Sequence, residues 1–100
     1  MNTSIKEEGN SLVMMFEGRF DTAAAPKVEE DVAPLIADED HDIVLDCTKM
    51  DYISSSGLRI FLSILKNAKP KGNHVYITGL NDDLRQVFSM TGFINLFEFK

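Results

Sequence analysis

The chain has 100 residues, of which 44% are hydrophobic and 26% charged, enough for one compact domain with a modest core and too apolar for a disordered chain. Its formal net charge of −6 leaves no positive field for DNA, RNA or an anionic membrane surface. Cys47 has no second cysteine to pair with, and no leader or run of membrane-spanning length stands out, so a cytoplasmic protein in a reducing compartment is expected.

Taken in chain order, residues 3–8 can add a first strand as one arm of an edge hairpin. "SLVMMFEGRF" is apolar and loosely alternating, which predicts a strand over 11–17 and a turn at Gly18. "DTAAAPKVEEDVAPLIAD" opens on two good N-caps, Asp21 and Thr22, and repeats Ala24, Val28, Val32, Leu35 and Ile36 at helical spacing. Pro26 suits the first turn of that helix, whereas Pro34 predicts a kink or an early end. "HDIVLDC" reads as a buried strand over 42–47.

The next helix follows three serines. Leu58, Phe61, Leu62, Leu65 and Ala68 share one face, and "KPKG" stops it. "NHVYITGL" is a short strand, and "NDDLRQVFSMTG" a helix capped by Asn81 or Asp82 and ended by Gly92. "FINLFEFK" reads as a last strand. Strands alternating with helices predict an α/β fold, one domain over residues 1–100. Its sheet is mixed, of four or five strands, joined by right-handed crossovers and covered by helices.

"ISSSGL", residues 53–58, places three hydroxyls at a helix start that needs one. Four backbone N–H groups lack intrahelical partners there, and a serine cap contributes about 1 kcal/mol. The same free N–H groups and the helix dipole stabilise a phosphate, so a hydroxyl at this point can be modified without unfolding the domain. Along the helix, Arg59, Ser63, Lys66 and Asn67 form a polar arc. Ile60 and Ile64 flank the apolar face, either as core or as part of a docking surface rimmed by Arg59 and Lys66.

"LDCTKMDYISSSGLRIFLSILKNAK" followed by "GNHVYITGLNDDLRQVFSMTGFINLFEF" resembles the STAS domain of bacterial anti-sigma factor antagonists, and "EGRFDTAAAPKVEEDV" is similar to that family's first turn and helix. The resemblance spans roughly residues 5–99 and is most specific at the "SSG-L" helix start and at Phe88–Gly92. It implies phosphorylation two residues before the motif glycine, at Ser55, with Gly57 as that glycine and Leu58 after it. Many members carry an acidic residue where this chain has Ser54, so Ser54 and Ser56 stay open as acceptors. The implied partners are a GHKL-type ATPase, at once serine kinase and anti-sigma factor, and a PP2C-type phosphatase. The unphosphorylated protein binds the kinase and frees a sigma factor; the phosphorylated form does not.

The docking surface so implied comprises Asp21, Ser54, Ser56, Gly57, Arg59, Ile60 and Ser63 on a monomer, with no cofactor and no metal. Asp21 has a second reading as a plain helix cap. The alternative within the same fold is an adaptor whose serines only cap, serving a lipid-transport or stress-sensing assembly. Other classes fit worse. A nucleophile elbow wants glycine where Ile53 stands. His41 and His74 precede strands and so lie at the far edge of the sheet from the serines, as loop residues in solvent. No acidic pair follows the first long strand as a receiver domain requires, and no His/Cys cluster suits zinc.

Overall fold

The computed structural model describes residues 1–100. Five strands form one sheet in sequential order: β1 (Asn2–Glu8), β2 (Ser11–Phe20), β3 (Asp42–Ile53), β4 (Val75–Thr78) and β5 (Glu98–Phe99). β1 and β2 are an antiparallel hairpin, and every later pairing is parallel. The expected edge hairpin and mixed sheet are therefore present. Between the parallel strands run α1 (Ala25–Asp31), α2 (Ala33–Ala37), α3 (Ser55–Ala68) and α4 (Asp82–Met90). Crossovers of one hand stepping in one direction put all these helices over the same face of the sheet.

Along β3, Ile43, Leu45 and Cys47 enter the main core cluster, whereas Val44, though buried, does not. Val44 stands on the open face between Val13 and Tyr76, its partners in register on either side. The helix-covered face is filled by phenylalanines. Phe61 of α3 meets Phe16 at 5.1 Å, Phe20 at 6.0 Å, Phe88 at 6.2 Å and Phe97 at 6.5 Å between ring centres, all in tilted or edge-on contact. One ring thus ties β2, two helices and the C-terminal segment together, the kind of dense aromatic contact that fixes one helix orientation.

Four expectations need correction. Gly18 is not a turn: β2 continues through it to Phe20, with register shifts between Met15 and Glu17 and between Gly18 and Arg19. Its φ of 100° is a left-handed value that suits glycine at a bulge. β3 runs to Ile53, six residues beyond the expected end, paired with β2 the whole way. The first helix does not begin at Asp21 or Thr22, because residues 22–24 form a turn, and it breaks at Val32 into α1 and α2, with Pro34 in the first turn of α2. The C-terminal strand shrinks to two residues, since 93–95 form a 3₁₀ turn.

Candidate functional site

β2 and β3 project past the rest of the sheet as a two-stranded parallel ribbon that ends with Phe20 opposite Ile53. The Ser54 N–H donates to the Phe20 carbonyl at 2.8 Å, so the chain leaves both strands side by side. Asp21 and the three serines are brought to one end of the molecule by this pairing. Neither Gly18 nor the end of β3 could be placed from the sequence, and the shared exit therefore could not be either.

The three serines meet three different environments. Ser54 has extended backbone and a buried side chain, 6% exposed, whose Oγ accepts from the Gly57 N–H at 3.2 Å. It is the N-cap of α3. Ser55 is the first helical residue, exposed, and its hydroxyl has no intramolecular partner. Ser56 is half-buried and faces the neighbouring helices. Gly57 is buried, and a Cβ there would lie 2.8 Å from Ile53 Cγ1 and 3.0 Å from Phe20 Cγ. The glycine lets the helix start press against the ribbon; it offers no surface.

Asp21 Oδ1 accepts from the Ala24 N–H at 2.9 Å. The carboxylate thus caps the 22–24 turn and not α1, whose N-cap, Ala24, has no side-chain bond. Thr22 caps nothing; it lines a groove. That groove, about 800 Å³, runs between α3 and the α1–α2 pair. Ser56, Arg59, Ile60 and Ser63 form one wall, spaced three and four apart and so on one stripe of α3. Pro26, Glu29, Val32, Ala33 and Ile36 form most of the other. Of the two isoleucines read as core or docking surface, Ile64 is 1% exposed and wholly core, while Ile60, 8% exposed, belongs to the core and shows one edge to the groove. Arg59 and Ser63 are exposed.

The histidines do precede β3 and β4, away from the serines, but neither is a free loop side chain. His41 Nδ1 lies 2.8 Å from Asp38 Oδ1 and its Nε2 lies 2.6 Å from Glu7 Oε2. Those two hydrogen bonds, Asp38 first, raise the imidazole pKa above its ordinary 6.5. Burial opposes ionisation of Asp38, yet the bonds from the His41 ring and backbone leave its carboxyl below the ordinary 3.8. His74 Nδ1 pairs with Glu98 at 2.6 Å, which likewise raises its pKa. Sequence spacing could not show the pairs with Glu7 and Glu98, which come from distant segments. Cys47 is fully buried, and burial pushes its thiol pKa far up, so it is an apolar core group and no nucleophile. No helix is long and apolar enough to cross a membrane.

Residues 2–100 match the STAS domain family. The anti-sigma-B factor antagonist of Listeria monocytogenes is 31% identical over 103 residues, covering 100% of this chain and 90% of that one. Its counterpart in Staphylococcus aureus is 30% identical over 79 residues, 79% of this chain and 73% of that one. Among solved structures, an anti-sigma factor antagonist from Mycobacterium paratuberculosis superposes with a TM-score of 0.88 at 19% identity, covering 98% of this chain and 83% of that one. The Bacillus cell fate determinant SpoIIAA in its phosphorylated form gives 0.74 at 14% identity, covering 99% and 91%. At such identities the structural likeness speaks to the fold.

Proposed function

The chain belongs to the STAS domain family and within it to the anti-sigma factor antagonists, which are binding proteins and not enzymes, and from that premise we propose that it is a phosphorylation-controlled switch with Ser55 as the acceptor. In the unphosphorylated form it binds, as a monomer, a GHKL-type kinase that is also an anti-sigma factor, and so releases a sigma factor. A phosphate on Ser55 ends that binding, and a PP2C-type phosphatase restores it.

The observation that carries the choice of acceptor is the division of labour among the serines. Ser54 is buried and occupied as the cap, so modifying it would break the start of α3. Ser55 is exposed and free of intramolecular bonds at the first turn of the helix, where the unpaired N–H groups and the dipole stabilise added negative charge. The protein supplies the nucleophile and the shape; the kinase supplies ATP, Mg²⁺ and the base. Asp21, held at the end of the adjoining strand by its bond to Ala24, and the α3 stripe of Ser56, Arg59, Ile60 and Ser63 make up the surrounding contact surface. Gly57 and Ser54 act through the position of the helix start.

Phosphate at an interface adds desolvation and repulsion, and a loss of about 2–4 kcal/mol corresponds to weakening by roughly 30- to 1,000-fold. The test compares affinities for a candidate GHKL kinase from the same genome. Ser55→Ala should bind like wild type, and Ser55→Asp at least about 30-fold more weakly. Equal binding by wild type and Ser55→Asp would sink the switch and favour a STAS adaptor, in a lipid-transport or stress-sensing assembly, whose serines only cap.

A further inference from the structure

We propose that the groove between α3 and the α1–α2 pair is a cleft for an amphipathic segment of the protein partner, one that seats apolar side chains on the groove floor, directs a carboxylate to Arg59 and directs a cation to Glu29. The inference rests on the switch reading above and adds the chemistry of the segment that is recognised.

The floor is apolar: Val32 and Ile60 are buried beneath it, and Ile36 is half-buried at its side. Its rim is open, since Ala33, Ser63 and Arg59 are all exposed. At about 800 Å³ it has room for several side chains at once. An amphipathic helix presents such a set at i, i+3, i+4 and i+7.

Charge selects the occupant further. Arg59 and Glu29 come from opposite walls, and neither has an ion-pair partner in the chain. Lys27, two residues before Glu29, is engaged elsewhere, holding Asp31 at 2.7 Å. In a protein of net charge −6, an unpaired guanidinium over an apolar floor is the group that attracts and orients a carboxylate, and Glu29 across the groove sets the polarity of the seated segment. The groove also runs up to the phosphoacceptor. Ser56 lines it and Ser55 precedes Ser56, so a segment seated there holds its protein against the first turn of α3.

The test is calorimetric affinity for the GHKL kinase from the same genome, measured for wild type, Arg59→Glu, Ala33→Trp and Ser63→Trp, with Lys6→Glu on the distant β1 strand as the charge control. All four sites are exposed, so the core is untouched, and unchanged thermal midpoints verify the fold; the two tryptophans block the groove from opposite walls, so one folded blocker suffices. Arg59→Glu and a folded blocker should each weaken binding by about tenfold or more, the scale of a residue that matters in an interface, and Lys6→Glu should leave it within about twofold. Groove variants that bind like wild type would overturn the inference while leaving the switch intact. A blocker that weakens binding while Arg59→Glu does not would also overturn it, because the occupant would lack the carboxylate. Loss of the switch itself reads differently: Ser55→Asp binds like wild type, or the kinase binds no form of the protein, and the groove inference then falls with it.

Discussion

Replacing Ser54 by alanine removes the acceptor that the Gly57 N–H uses at 3.2 Å in a buried position, so the start of α3 loses about 1 kcal/mol. Ser55→Ala, at an exposed hydroxyl without a partner, should change stability by no more than about 0.5 kcal/mol. Urea unfolding of the two variants side by side checks the contrast, and equal losses would mean that the cap is misassigned. Gly57→Ala tests the next residue. Alanine is the better helix former by up to about 1 kcal/mol, but its Cβ would sit 2.8 Å from Ile53 Cγ1 and 3.0 Å from Phe20 Cγ, an overpacking that costs about 1–3 kcal/mol. A lower unfolding midpoint is expected, and a gain in stability would show that the helix start stands off the ribbon. Cys47, by contrast, should resist thiol reagents in the native protein and react only on unfolding, because its sulfur is buried and its pKa pushed up.

Between elements, His41 joins β1 to the loop after α2 through Glu7 and Asp38. Its pKa is raised in the folded protein above the ordinary 6.5. The tie therefore contributes fully below 6.5 and is lost as pH rises through the higher folded value. Asp38 works in the opposite sense: lowered below 3.8, it contributes above that value and fails as pH falls through its folded pKa. Unfolding measured across the range above 6.5 should show wild type losing stability more steeply than His41→Gln, and identical slopes would remove His41 from the account. The sequence made α3 and α4 legible, because they bury a stripe at regular spacing and start on serine and asparagine caps that the structure uses. The second half of β3 was not legible for a physical reason. From Thr48 to Ile53 only Met50 and Ile53 are buried, a spacing of three in a strand paired to the bulged β2, so the two-residue alternation that marks a strand is missing. β5 has two residues, too few to carry a pattern.

For the whole molecule, the sheet is a frame that carries two strand ends past the helices and sets a capped, glycine-packed helix start beside a groove. The resemblance put the proposed acceptor at Ser55 and left Ser54 and Ser56 open; what the proposal adds to that choice is burial and bonding, which depend on Phe20 and Ile53 packing from either strand. The groove was out of reach of the sequence, since its walls come from segments some thirty residues apart and Pro34 only hinted that α1 and α2 would bend around it. On the proposed switch, the change of state comes from a partner enzyme acting on the exposed Ser55 hydroxyl. The measurement that bears most directly on this is the intact mass of the purified protein after incubation with Mg-ATP and the GHKL kinase of the same genome, wild type beside Ser55→Ala. A single adduct of about 80 Da, the added phosphoryl group, that disappears in Ser55→Ala is the predicted result; an adduct retained in Ser55→Ala, or none on wild type, would contradict it.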